Sequence, residues 1–598
     1  MSTYNMKWDL ETIFPGGSKS EELTSYIHTL ETELSNLEAS LASEETVKTF
    51  GTPQVFRTIL DKVETITKRL GEISSFVGCL TAQDVSDHHA KLLVGKRNEL
   101  AARFSAAMSA VDEQMKAISS EEWNHLMEDS DFVSVAFVLN ERRQKAMEKL
   151  PLQQEVLLND LAVDGYHAWE EMYDTIVAKI SINVDIEGKS QSLSVGQAEN
   201  KLSHPDRKVR QTVFQHMEQA WMEQADLFTE TLNHLAGFRL QTYKHRGWDH
   251  VLKEPLEYNR MDENTLSSMW EAISNQKTPF VSYLKRKAEL LGIEKMSWFD
   301  LDAPVAESTE TISYDQAAEI IVKEFGQYSS EMASFAQHAF DQRWIEAEDR
   351  SGKRPGGFCT GFPDSKETRI FMTYSGTASN VSTLAHELGH AYHQYVMDDM
   401  ELLNQDYAMN VAETASTLAE MILADAAVKN AKNDEEKIAL LEDKIQRSVA
   451  FFMNIHARFL FETRFYEERK KGIVPTDRLH TLMKEAQEEA YCGELDRYNP
   501  VFWASKLHFH ITDVPFYNFP YTFGYLFSLG IYAHAQENKE EFEEFYKAIL
   551  KDTGRMKVED LASKHLHVDL GSLDFWEKGI QLCIADVEEF IKLTESRL

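Results

Sequence analysis

The chain has 598 residues, with 62 Lys and Arg against 98 Asp and Glu, so its formal net charge is −36. Such a surface excludes general affinity for nucleic acid or anionic membrane, both of which need an excess of Lys and Arg. Its 43% hydrophobic content excludes a disordered chain and supplies a sizeable core.

The 13 prolines and 26 glycines are few for this length, which favours long helices. The N-terminus, MSTYNMKWDLETIFPGG, has no apolar core behind a basic start and does not read as a secretory signal. From Glu21 to Leu41 the residues Leu23, Ile27, Leu30, Leu34 and Leu37 share one helical face. Between Pro53 and Pro151 the same spacing returns in Leu60, Val63, Ile66, Leu70 and Ile73. Residues 1 to about 170 therefore read as antiparallel helices. TIVAKISINVDIEGKSQSLSV then brings β-branched residues and a turn at Glu187-Gly188, the pattern of a β-hairpin. This hairpin closes an N-terminal lobe, 1–195, ahead of a second domain, 196–598. Ser203 is the expected cap of the following helix, with Pro205 in its first turn.

A Gly- and Pro-rich break runs from about Ile345 to Tyr374, with two short candidate strands at Gly356–Thr360 and Ile370–Tyr374. Helices resume near Val381. No run of about 18 or more apolar residues occurs, so no spanning helix is expected. The four cysteines, Cys79, Cys359, Cys492 and Cys583, form no C-x-x-C pair. Four free thiols in a reducing, cytoplasmic setting are expected.

The resumed helix carries the chemistry. VSTLAHELGHAYHQYV contains H-E-x-x-H as His386, Glu387 and His390. Positions i and i+4 share a helix face, so both imidazoles can reach one zinc ion. Glu387, roughly 100° around the helix from His386, stands beside the metal without ligating it and suits a general base acting on water. His393 is expected to pack or to support a ligand. A third ligand must come from elsewhere, and no third His follows at the metzincin spacing. Asp398, Asp399, Glu401 and Asp406 lie in a polar connection. Glu413 instead lies among the small residues of NVAETASTLAEMIL, where a buried charge needs a partner. Glu420 is expected to orient a ligand His through its other ring nitrogen.

H-E-L-G-H followed by E-T-A-S-T-L-A-E resembles the oligoendopeptidase F and thimet oligopeptidase family of zinc metallopeptidases. GGFCTGFPDSKETRIFMTYSGTASNVSTLAHELGHAYH and LHFHITDVPFYNFPYTFGYLFS resemble its oligoendopeptidase F branch. The N-terminal part resembles that branch more loosely, so the likeness spans most of the chain. It implies a mainly α fold, with two helical lobes flanking a deep substrate channel and a small β element near the zinc site. It implies one Zn2+ per chain, held by His386, His390 and Glu413, with Glu387 as general base. It also implies that a His and tyrosines of the late segment lie over the substrate carbonyl. Two histidines compete there, His508 and His510. His508 is preferred because it begins the H-F-aromatic pattern, with Tyr517 and Tyr521 as the tyrosines. Tyr525 belongs to the same stretch.

The resulting expectation is a cytoplasmic zinc endopeptidase acting on short oligopeptides. The alternatives are a carboxypeptidase or dipeptidase, with Arg369 a candidate to capture the terminal carboxylate, and a catalytically silent zinc-stabilised peptide-binding scaffold. If the excess acid lines the channel, basic peptides are drawn in and acidic ones repelled.

Overall fold

A computed structural model describes residues 3–186, 188–306 and 311–597. The chain is mainly helical, with a two-stranded and a three-stranded sheet among the described residues. No described helix is long and apolar enough to cross a membrane. All four cysteines are unpaired.

The first long helix, α1 (Glu21–Ala42), starts at Ser20, whose hydroxyl accepts the Leu23 N–H at 3.1 Å. Glu21 and Glu22 in its first turn complement the helix dipole. It buries Leu23, Ile27, Leu30, Leu34, Leu37 and Leu41 as one stripe. That stripe packs against α2 (Pro53–Gln83) and α3 (His88–Ala117). These helices share an N-terminal core that also takes in Phe362 and Phe371 from the sheet beside the site.

The hairpin pairs β1 (Ile182–Ile186) with β2 (Lys189–Leu193), antiparallel. Ile182, Val184 and Ile186 alternate inward, as one face of a half-buried strand must. Gly188 sits at φ 76°, and Glu187, the other half of the expected turn, lies outside the described residues. The buried hairpin face joins the second, larger core rather than the N-terminal one. After a short helix at Val195–Asn200, the long helix α4 (Arg207–Met222) begins later than Ser203. His204, ahead of Pro205, is held extended (φ −67°, ψ 138°), and Asp206 caps the helix by accepting the Lys208 N–H at 2.8 Å. A further helix, α5 (Ala225–Arg246), belongs to the same core.

In the three-stranded sheet β3 (Ile345–Glu346) lies parallel to β5 (Glu367–Phe371), and β4 (Phe358–Phe362) lies antiparallel to it in the order β3-β5-β4. The observed strands differ from those expected because the turn at 363–366 sets the register, opposing Phe362 to Glu367 and Phe358 to Phe371. β4 is thus an edge strand, and both β4 and β5 lie against the helix that follows, α6 (Ala378–Met397).

Five helices build the rest of the site's surroundings: α6, α7 (Met409–Lys429), α8 (Asp434–Val449), α9 (Ile455–Arg469) and α10 (Phe519–Glu537). α7 is sandwiched between α6 and α10. Two glycines permit this spacing. A Cβ at Gly389 would sit 2.6 Å from the Ala415 carbonyl oxygen and 2.7 Å from the Ser416 Cα. A Cβ at Gly524 would lie 2.9 Å from the Asn410 carbonyl oxygen. Both are backbone contacts that no rotamer change relieves.

Candidate active site

α6 is started by a capping box at Thr377 and Asn380 and carries His386, Glu387 and His390. Because Gly389 lets α7 approach, Glu413 arrives opposite both imidazoles. One ligand atom from each of His386, His390 and Glu413 lies within 4.8 Å of the others. His390 Nε2 is 3.1 Å from His386 Nε2, and Glu413 Oε2 is 3.4 Å from the first ring and 3.6 Å from the second. Two ligands each about 2.0–2.1 Å from a tetrahedral ion stand about 3.3–3.4 Å apart. The observed spacing fits a zinc-sized ion with a fourth position open.

Supporting groups fix the candidate ligands. His386 Nδ1 meets Glu420 Oε1 at 2.5 Å, which leaves Nε2 for the metal position. Glu420 in turn takes the Ser382 hydroxyl at 3.2 Å and an ion pair from Arg447 of α8. Burial raises the Glu420 pKa, but His386 and Arg447 outweigh it and hold the carboxyl below its ordinary value. Ser416 donates to Glu413 Oε2 at 2.9 Å. Burial pushes His390 down to about 4, with Glu413 opposing and His386 assisting, so the ring is neutral, as a ligand must be.

Glu387 is 7% exposed, and burial raises its pKa to about 7, with His386 pulling the other way and Glu413 and Glu420 adding to the rise. A carboxyl tuned near neutrality can both accept and return a proton. It lies beside β4: a Cβ at Gly357 would be 3.5 Å from Glu387 Oε1. Cys359 of β4 is held as a thiol, because burial and then the Glu387 charge raise its pKa.

The structure separates the two late histidines. His510 is fully buried, stacked 4.1 Å from Tyr173, with its Nδ1 3.5 Å from the Thr231 hydroxyl. His508 is only half-buried and forms a triangle of rings with Tyr517 and Tyr521, with centroids 5.5 and 6.1 Å from it and 5.7 Å between the tyrosines. Burial and the charges of Arg458 and Lys506 push His508 down to about 4, so it is a neutral donor at physiological pH. Burial raises the Tyr521 pKa, with Tyr517 and Glu413 adding to it, so its phenol keeps its proton. Tyr525 turns away into the core, 4.4 Å from Phe451 and 2.9 Å from the Ser448 hydroxyl.

The loop Ile511–Asn518 holds this triangle, and distant residues pin it. Arg239 of α5, 4% exposed, donates to the Ile511 and Thr512 carbonyls, both at 3.1 Å, and to the Tyr166 hydroxyl at 2.9 Å. Glu170 accepts the Thr512 N–H at 2.9 Å. Glu462 of α9 accepts the Phe516 N–H at 3.3 Å and the Asn518 amide at 3.0 Å. Phe516 is held at φ 54°, which costs a non-glycine residue energy and points to an over-determined loop.

His393 is fully buried, stacked 4.1 Å from Tyr407 and 2.9 Å from the Thr553 hydroxyl, so it packs rather than ligates. Arg369 is also fully buried. It grips the Asp9 carbonyl at 2.9 Å and Glu367 at 2.8 Å, and so ties the N-terminal segment to β5. Arg447, Arg239 and Glu462 were not predicted from the sequence. Each lies on a different helix from its target and leaves no spacing signal.

Known proteins resemble the chain in sequence and in fold. A model of peptidase family M3 matches residues 201–582, and one described as Oligopeptidase F matches residues 114–181. An oligoendopeptidase F homologue of Lactococcus lactis is 23% identical, the match covering 99% of this chain and 98% of that protein. A crystal structure of a Chlamydophila abortus protein superposes with a TM-score of 0.85 at 18% identity, covering 98% of each chain. Oligoendopeptidase F of Enterococcus faecium superposes with a TM-score of 0.70 at 18% identity, covering 96% of this chain and 99% of that one. The fold is therefore that of the oligoendopeptidase F structures, and the chain belongs to peptidase family M3.

Proposed function

We propose that the chain is a cytoplasmic zinc endopeptidase that hydrolyses internal bonds of short oligopeptides. The observation that carries this reading is the meeting of His386, His390 and Glu413 within 4.8 Å, with the buried Glu387 on the helix of the two histidines. When bound, the ion supplies Lewis acidity toward water and a peptide carbonyl. Glu387 takes the proton of the attacking water and returns it to the leaving nitrogen. His508, Tyr517 and Tyr521 donate hydrogen bonds to the oxyanion that develops on the carbonyl. The free side of β4, next to Glu387, receives the substrate backbone as an added strand, giving affinity with little side-chain selectivity.

In this reading residues 1–195 form one lobe and 196–598 the catalytic domain, with a channel between them that admits unfolded oligopeptides alone. The chain has two hydrophobic cores, but Tyr173, Ile176, Ile180 and the hairpin face belong to the second, so the cores part between Leu139 and Tyr173, ahead of the hairpin. The exopeptidase alternative loses its candidate anchor, since Arg369 is committed inside the protein.

The test is a random peptide pool read by mass spectrometry, with and without a chelator. Internal cuts that vanish with chelator and return with zinc are expected. Glu387→Gln is expected to keep the metal and lose about 10²–10⁴-fold in turnover. Stepwise loss of terminal residues would instead favour the exopeptidase, and no cleavage at all the scaffold.

A further inference from the structure

A charged side chain withdrawn from water needs an opposite charge or a full set of hydrogen bonds. Several well-packed cations in this chain follow that rule. Arg210 pairs with Asp300 at 2.9 Å, and Lys287 with Glu442 at 2.9 Å. Arg447 pairs with Glu420, and Arg239 bonds hydroxyls and carbonyls. Arg458 does not. Its Nε donates to Asn454 Oδ1 at 2.8 Å, one turn back on the same chain segment. Its guanidinium carbon lies 5.3 Å from the centre of the Phe502 ring. Among the described residues no carboxylate pairs with it, and its two terminal nitrogens make no hydrogen bond.

Arg458 is not alone. Lys506 Nζ lies 4.9 Å from the centre of the same Phe502 ring, and among the described residues its one ion pair is with Glu199 at 3.3 Å. Two cations thus share one aromatic platform, and Lys506 is two residues from His508. The next residue on α9, Phe459, lies 6.1 Å from Phe519, which opens the helix carrying Tyr521. The charge of Arg458 reaches both His508 and Tyr521: it adds to burial in lowering the His508 pKa, and at Tyr521 it opposes the rise that burial causes. In a chain of net charge −36, a cationic corner with an unused guanidinium fork beside the oxyanion donors is unexpected.

The geometry points to Arg458, with Lys506 beside it, as a carboxylate-binding subsite of the substrate cleft. It takes the C-terminal carboxylate of a short peptide or an acidic side chain on the same peptide. A planar fork whose terminal Nη1–Nη2 edge is free matches a carboxylate in two parallel hydrogen bonds. Such an anchor fixes how far the chain end lies from the scissile bond, so it favours particular peptide lengths. The inference rests on the peptidase reading of the same site.

The test uses matched substrates: one quenched fluorescent peptide as the free acid, the same peptide amidated at its C-terminus, and acid and amide forms that differ at one Glu or Gln. The wild type is expected to prefer the better-placed carboxylate at least about tenfold in kcat/KM, the size of a hydrogen bond to a charged group. Arg458→Met is expected to bring that ratio close to one, mainly through KM, and Arg458→Lys to restore part of it. Amidation mattering alone identifies the chain end; the Glu/Gln pair mattering alone identifies a side chain. An acid preference that persists unchanged in Arg458→Met overturns the subsite. Should Arg458→Met fail to fold, calorimetric binding of the acid and amide peptides to Glu387→Gln decides: equal affinities overturn it. If the wild type cleaves none of these peptides, the peptidase reading fails, while the same calorimetry still reports on the carboxylate.

Discussion

The two halves of the candidate site are built in opposite ways. The metal half is made by α6 and α7, where spacing along each helix sets the geometry: His386 and His390 four apart, Glu413 and Glu420 seven apart on the facing helix. The half proposed to hold the oxyanion centres on a loop whose shape comes from Arg239, Glu170 and Glu462, residues distant in the sequence from Tyr517. Local periodicity makes the first half rigid by default. The second must be held by buried polar anchors, and it is the half that can be adjusted without unfolding the helices.

The comparison breaks most visibly at Gly389. A Val there places a methyl-bearing Cβ against the Ala415 and Ser416 backbone, and the clash costs more than the about 1–3 kcal/mol of ordinary overpacking because nothing can rotate away. The expected outcome is loss of bound zinc and of all peptide cleavage. Atomic absorption on the purified variant checks it, and a full zinc complement would show that the close approach is not what places Glu413. Smaller, and confined to the other half, is His508→Ala. It is expected to keep its zinc and lose about 10²–10³-fold in kcat, as removal of an oxyanion donor does. The same loss in His510→Ala at unchanged melting temperature would reverse the assignment of the two histidines. Smaller again, Glu420→Gln leaves the ligand set intact but loosens the His386 ring. Zinc affinity is expected to fall about 10–100-fold, measured by competition with a chromogenic chelator.

The sequence shows these two halves unequally. The motif helix, the small-residue helix and Glu420 could be read from spacing alone, because an α-helix converts sequence separation directly into a face. The N-terminal helices were legible for the same reason. What escaped is what depends on three-dimensional partners. The start of α4 moved to Asp206 because the backbone before Pro205 is extended. The strand limits around 363–366 followed from pairing register, which no single strand encodes. The sequence prefers His508 to His510 on pattern alone, and it is the burial of His510 against Tyr173 and the ring triangle around His508 that separate them. Arg447, Arg239 and Glu462 act across helices and have no local signature.

Glu462 gives the finest test of the loop half. It is 3% exposed, and burial raises its pKa from 4.5 to about 7, with Arg239 and the Phe516 and Asn518 hydrogen bonds pulling it down. Asn518 Oδ1 is buried without a partner, so a rotated Asn518 amide can accept a proton from a neutral Glu462. The folded state thus favours the protonated acid. A raised pKa contributes stability that is complete below pH 4.5 and is lost as pH rises through about 7, on the order of 3 kcal/mol for a shift of this size. Glu462→Gln keeps a neutral amide in place and cannot titrate. Its melting temperature should therefore improve relative to the wild type between pH 5 and pH 8, while kcat changes only a few-fold. A difference that stays constant over that range would mean that Glu462 is already ionised in the native loop, held by Arg239 as a charge rather than as a neutral acid.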